Sequence, residues 1–329
     1  MTDSDPSGQN APPPANLQVT PVVSDHALIR LIGKGSSGEV WLARSVLGTY
    51  RAIKIVYAHA FKHRRPFDRE FAGILKFEPV SRLHDGLVDI LQVGHNEAAG
   101  YFYYVMELAD DITSGPAINP ETYVCRTLAH DLARHKRLPV AECVRLAAAA
   151  ASALGFLHRN SLIHRDVKPS NIIFVNGFPK LADIGLVTAM AEDKAYVGTE
   201  GFIPPEGPGT VRADIYSLGK VLYEISTGND RLQYPELPPD LGKSAEDRDL
   251  IQFNKIVLRA CRNLPRDRFR TAEELMKALL AFQFDAQETR RHHRHYFWGN
   301  VIGLLGALAA ASIVIAILWR LIHLLKQGQ

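Results

Sequence analysis

The chain has 329 residues, of which 22% are charged and 47% hydrophobic, and carries a net charge of +3. That length exceeds one average domain and can bury a sizeable core; the composition is that of a globular protein. So small a charge, with no basic stripe interleaved with aromatics outside one short cluster near the C-terminus, argues against nucleic acid as a partner. The three cysteines (Cys125, Cys143, Cys261) lie far apart with no CxxC or CxxH pair, so zinc is not expected and the thiols read as reduced and packed.

Residues 1–20 lack the basic start and apolar run of a signal peptide. Residues 1–26, with Pro12-Pro13-Pro14, cannot bury enough apolar surface to order themselves and read as a flexible tail. Structure begins near Ala27-Leu28-Ile29. From Leu31 to Ala43 the pattern is a strand, a glycine turn and a second strand. Gly33, Gly35 and Gly38 let the backbone approach phosphates closely. A dinucleotide-binding turn has the same spacing but needs a helix straight after it; here the strand-like Val40-Trp41-Leu42-Ala43 follows, and that alternative loses.

Ala52-Ile53-Lys54-Ile55-Val56 is an apolar strand interrupted by one lysine, which calls for a partner because an unpaired buried ammonium is costly. Glu70 lies in a helical pattern (Phe67, Phe71, Ile74, Leu75) and is the favoured partner. Glu78 is the alternative, set back by Pro79, which reads as a helix end. Leu87–Val93 and Tyr101–Leu108 read as paired strands, with Asp110 and Asp111 in a solvated turn, or alternatively near a ribose. Residues 112–124 form an unusually long connection, and Val140–Leu157 an alanine-rich buried helix. Strands in the first half and helices in the second make an α+β arrangement of two lobes.

That helix feeds into His164-Arg165-Asp166-Val167-Lys168-Pro169-Ser170-Asn171, which places an acid, a base and an amide in eight residues ahead of the apolar run Ile172-Ile173-Phe174-Val175. A polar loop entering a rigid strand suits catalysis. Asp166 could accept a hydroxyl proton, Lys168 could neutralise a transferring phosphoryl group, and Asn171 could bind a divalent cation through its amide oxygen. Lys180-Leu181-Ala182-Asp183-Ile184-Gly185 supplies a second carboxylate.

In order and spacing these stretches resemble the protein kinase family over roughly residues 28–283, and look most similar to bacterial, eukaryotic-like serine/threonine kinases. The resemblance implies a small β-rich lobe (27–108) and a larger helical lobe (109–285), with ATP and Mg²⁺ as cofactors and protein serine or threonine hydroxyls as substrates. Ile32, Gly33, Lys34, Gly35, Ser36, Ser37, Gly38, Glu39 and Val40 would fold over the nucleotide, with Val40 covering the adenine and Ala52 beside it. Lys54, paired with Glu70, would hold the α- and β-phosphates, Met106 would guard the back of the pocket, and the backbone around Glu107 and Leu108 would bond the adenine. Asp166, Lys168 and Asn171 would be catalytic, with Asn171 and Asp183 holding the metal. The family analogy also pairs Glu206 with Arg268 and has Asp214 tie down the catalytic loop. Thr188, Tyr196 and Thr199 are candidates for regulatory phosphorylation facing Arg165, and Thr199 alternatively serves the catalytic loop. Two departures from the family pattern stand out: Ile184 where phenylalanine is usual, and Pro204-Pro205-Glu206 in place of Ala-Pro-Glu. They leave a pseudokinase scaffold as the rival. A small-molecule kinase is disfavoured by Gly198–Glu206, which resembles a peptide-substrate platform.

From Tyr296 to Trp319 no residue is charged, which is the length of about 20 residues that a helix needs to cross a bilayer. The expected division is a basic juxtamembrane segment (286–296), a transmembrane helix (297–319) with Trp298 and Trp319 as interfacial aromatics, and a short outer tail (320–329). Arg290, Arg291 and Arg294 on the near side orient a single-pass protein in the plasma membrane with its kinase domain in the cytoplasm. Gly299, Gly303, Ala307 and Ala311 recur every four residues. Such a stripe can pack helices into a homodimer, or simply reflect the small residues common in such helices; the lobes are an alternative contact.

Overall fold

The computed structural model describes residues 21–35, 38–183, 188–189, 198–239, 241 and 245–285, with backbone alone at 188–189 and 245–246. Expectations for residues 1–20, Ser36, Ser37, Ile184, Gly185, Tyr196 and the whole of 286–329 lie outside them.

Five strands, β1 (His26–Lys34), β2 (Gly38–Ser45), β3 (Tyr50–Tyr57), β4 (Ile90–Asn96) and β5 (Tyr101–Met106), form an antiparallel sheet in the order β1-β2-β3-β5-β4. The central strands are the most apolar, because both their faces are covered: Ile53, Ile55, Val56 and Phe102 to Val105 are all buried. Val23 packs beneath one face, and the Tyr101 hydroxyl bonds the backbone of Val22, so residues 21–25 belong to this lobe. β4 starts three residues later than the pattern predicts. Leu87 and Val88 instead meet Leu181 of the large lobe, and Val88 N–H donates to the Leu181 carbonyl.

Helix α1 (Arg64–Ser81) buries Phe67, Glu70, Ile74 and Phe77, a stripe at spacings of three and four. Phe67 and Phe71 meet Phe102 with ring centroids 5.1 and 5.0 Å apart, which docks the helix on the sheet. The expected end at Pro79 is corrected, since the helix runs on to Ser81. Pro79 stands in the last turn of the helix, two residues before its end, where only one intrahelical bond, to the carbonyl of Leu75, is forgone.

The large lobe holds α2 (Leu128–His135), α3 (Val140–Arg159), α4 (Val211–Thr227), α5 (Ala245–Ala260) and α6 (272–285). It also carries the short strands β6 (Leu162–Ile163), β7 (Ile172–Val175), β8 (Phe178–Leu181) and β9 (Thr188–Ala189). β7 and β8 turn through Asn176-Gly177, both at positive φ, as a tight hairpin requires. Thr210 caps α4 by accepting from Ala213 N–H, and Gly228 ends it in the left-handed conformation. α3 alone among the described helices is long and apolar enough to span a bilayer, but it is the core helix of this lobe, packed on α4. One continuous core runs from beneath the sheet through α1 into α3, α4 and α5. The three thiols are free, and burial pushes Cys143 and Cys261 up to about 12.

Candidate active site

The cleft between the lobes gathers the charged residues singled out above. Glu70 comes inward because it sits on the apolar stripe of α1, three residues after Phe67 and four before Ile74. On β3, Lys54 lies opposite Val40 of β2 and Tyr104 of β5. Lys54 Nζ is 3.7 Å from Glu70 Oε1 and 2.7 Å from Asp183 Oδ1. Burial works against the ammonium charge, but Tyr104, Asp183 and Glu70 together hold its pKa well above the ordinary value. Lys54 in turn holds the Asp183 carboxyl below the usual range. Asp183 keeps 45% of its side-chain surface open, enough to meet a cation. Glu78, the alternative partner, pairs with Arg82 on its own helix.

The catalytic loop is threaded by its own polar atoms. Asp166 Oδ2 accepts from Asn171 Nδ2 at 2.9 Å and lies 2.7 Å from Lys168 Nζ. Its Oδ1 accepts from the Thr199 hydroxyl at 3.0 Å, and Lys168 Nζ donates to that hydroxyl at 2.9 Å. Thr199 therefore joins the loop rather than facing Arg165. Asn171 Nδ2 also donates to the Asp166 carbonyl, which leaves the amide oxygen as the end available to a metal. One carboxylate and one amide oxygen are hard donors that fit Mg²⁺, which commonly takes only one or two protein carboxylates and completes its shell with water and substrate phosphates. Among the described residues no group of three or more His, Cys, Asp or Glu forms a separate metal site.

The glycine turn closes through Gly35 N–H to the Gly38 carbonyl at 2.9 Å. Gly38 has a second reason to be glycine: a Cβ there would sit 2.1 Å from the carbonyl oxygen of Ile55 on the neighbouring strand. Glu39 faces away, bonding Trp41 Nε1 and the Tyr57 hydroxyl. Ala52 and Met106 are register partners across β3 and β5. The strand ends at Met106; Glu107 N–H donates to the Asp89 carbonyl, while its carboxylate takes Asp89 N–H at 2.9 Å and Lys180 Nζ at 2.6 Å. The Glu107 side chain thus fastens the connector to β8.

Asp110 and Asp111 are not in a solvated turn, and neither carboxylate is free for a ribose. Both are buried. Asp110 accepts from Asn176 and Gly177 N–H, Asp111 from Thr113, Ser114 and Val124 N–H. Burial opposes the Asp111 charge, yet these bonds hold its pKa down to about 2.

Beneath the loop, Asp214 is 1% exposed and accepts from His164 N–H, Arg165 N–H and His158 Nε2, each at 2.9 Å. Arg165 holds φ at 70°, and its side chain lies buried against Gly209. Arg268 makes a two-pronged pair with Glu206 at 2.5 and 2.8 Å. Sequence reasoning missed His158, Lys180 and Tyr104. Nothing marks a helix-end histidine or a mid-strand tyrosine as a site residue until the fold sets it beside Asp214 or Lys54.

A two-lobed molecule with a glycine-turned sheet, a Lys–Glu pair and an Asp–Lys–Asn loop facing a second aspartate has the architecture of a phosphotransferase that works on nucleotide phosphates. The model of the protein kinase domain matches residues 26–296, and the chain belongs to the protein kinase family. It is 30% identical to serine/threonine-protein kinase PknB of Mycobacterium leprae over 80% of this chain and 44% of that protein. Serine/threonine-protein kinase PrkC of Bacillus subtilis is 27% identical over 79% of this chain and 41% of its own length. The DNA damage-responsive serine/threonine-protein kinase RqkA of Deinococcus radiodurans is 29% identical over 67% and 31%. The chain thus spans less than half the length of these relatives.

Proposed function

We propose that the protein is an ATP-dependent serine/threonine protein kinase. The carrying observation is Asp166, whose two oxygens are separately engaged by Thr199 and by Asn171 with Lys168. A carboxylate oriented this way can position a substrate hydroxyl and take its proton as the phosphoryl group transfers. Lys168 steadies the charge on that group, and Lys54, held by Glu70, orients the nucleotide phosphates. Asn171 and Asp183 hold Mg²⁺, which neutralises phosphate charge when bound. Ile32 to Val40 cover the nucleotide, and the backbone at Glu107 and Leu108 receives the adenine behind Met106. The serine/threonine choice is supported by the names of the relatives and by Lys168 and Thr199.

The same reading makes it a single-pass membrane protein, with the kinase domain (27–285) in the cytoplasm and residues 297–319 as the anchor. The uncharged run to Trp319 and the arginines before it support this. The small-residue stripe from Gly299 to Ala311 is a contact for a homodimer phosphorylating itself. The test is ³²P transfer from ATP/Mg²⁺ by the full chain, alongside Asp166→Asn and Lys54→Met, with modified residues mapped by mass spectrometry. Label on serine or threonine that both substitutions abolish is the expected result; labelling that survives Asp166→Asn removes the assigned mechanism.

A further inference from the structure

We propose that residues 112–124 form a clasp across the open side of the nucleotide cleft, closed by Arg30, that slows nucleotide exchange. Arg30 and Tyr123 are its positioning residues. The inference rests on the nucleotide-binding reading above.

The segment leaves the connector after β5 and returns to α2 without regular structure, but its backbone is closely held. Asp111 gathers three N–H groups and the Ser114 hydroxyl, and Ile112 N–H donates to Val124. Asp110 and Arg126 fasten both ends to Phe174 of β7. The segment is therefore part of the large lobe. From the other lobe, Arg30 of β1 reaches it: the guanidinium donates to the Tyr123 carbonyl at 2.6 Å and the Pro120 carbonyl at 3.2 Å. The buried Tyr123 turns its hydroxyl to the carbonyl of Ala109, on the connector itself, at 3.2 Å.

These contacts complete a ring. It runs from β1 through β2 and β3 to β5, out along the connector to Ala109, across Tyr123, and back through Arg30 to β1. Arg30 stands two residues before Ile32, where the strand enters the glycine turn. For the lobes to part and release a nucleotide, the sheet must lift from the large lobe on this side, and that motion breaks both Arg30 bonds. They are charge-assisted bonds to neutral carbonyls, so salt weakens them less than it would an exposed ion pair. None of these bonds reaches Asp166, which is engaged by Thr199, Asn171 and Lys168 and carries the proposed chemistry. The clasp should therefore act on binding and release, and not on the transfer step.

The experiment measures dissociation of a fluorescent ADP analogue by stopped flow, and KM for ATP against kcat, for the full chain and for Arg30→Ala. Removing the guanidinium should speed dissociation by at least about tenfold, the effect of a single charge-assisted bond where two are lost, and raise KM while kcat holds or increases. Arg30→Gln, able to reach one carbonyl, should fall between. Dissociation within twofold of wild type for a variant whose melting point is unchanged overturns the clasp, as does a fall in kcat at unchanged KM. If Arg30→Ala fails to fold, Tyr123→Phe decides: it removes only the hydroxyl on Ala109, and a wild-type release rate with it overturns the ring. Failure of the wild-type chain to bind the analogue at all overturns the nucleotide reading and the clasp with it.

Discussion

Two groups of charges, one in the cleft and one beneath the catalytic loop, are held in different ways. Asp214 is closed on every side by two backbone N–H groups and a histidine. Arg268 donates to three backbone carbonyls as well as to Glu206. Nothing is left over on either for a ligand. Lys54, Asp183, Asp166 and Lys168 are instead held chiefly by one another's side chains, and Asp183 stays nearly half open. A phosphate or a cation can displace such partners without breaking the backbone. Saturated charges build the platform; mutually paired ones remain able to work.

That contrast can be broken by substitution. The largest effect should come from Asp166→Asn, slowing phosphoryl transfer by about 10²–10⁴-fold, the usual share of a general base. Its circular dichroism spectrum should match wild type, because asparagine keeps the carboxylate's shape and one accepting oxygen for Thr199. Glu206→Gln should do the reverse, costing about 1–3 kcal/mol of stability, because the fully buried Arg268 guanidinium loses its charge partner. A loss below about 1 kcal/mol in urea denaturation would place Glu206 with the cleft charges instead.

Thr199 lies between the two groups, a neutral hydroxyl bridging Asp166 and Lys168. Thr199→Val should slow kcat by about 10–100-fold, as expected for a hydrogen bond to charged groups. Thr199→Ser should restore most of the rate, whereas a bulk role would be better served by valine. The smallest effect concerns Asp111, whose pKa is depressed to about 2. A carboxylate lowered on folding stabilises the fold above its unfolded value of about 4 and loses that contribution as pH falls toward 2. The melting-point gap between wild type and Asp111→Asn should therefore be constant near neutrality and narrow below about pH 4; a gap independent of pH would show that packing, not charge, is what the carboxylate supplies.

The sequence by itself determined the two-lobed order and most of the charges that meet in the cleft. Lys54 stands in an apolar strand and Glu70 on a helical stripe, and both patterns are local periodicities that fix which way a side chain faces. The catalytic loop is contiguous, so its internal bonds among Asp166, Lys168 and Asn171 follow from a few neighbouring dihedrals. Tertiary structure decided what depends on distant backbone. Asp110 and Asp111 look like solvated acids beside a glycine- and proline-containing loop, yet N–H groups from Asn176, Gly177 and Val124 bury them. Pro79 does not end the helix at once, because it falls in the last turn, two residues before the end at Ser81. Nothing in the sequence singles out Arg30, and its reach to Pro120 and Tyr123, some ninety residues on, exists only once the sheet sits over the large lobe. Periodicity reports which face a residue takes; which backbone atoms wait on that face is settled by packing.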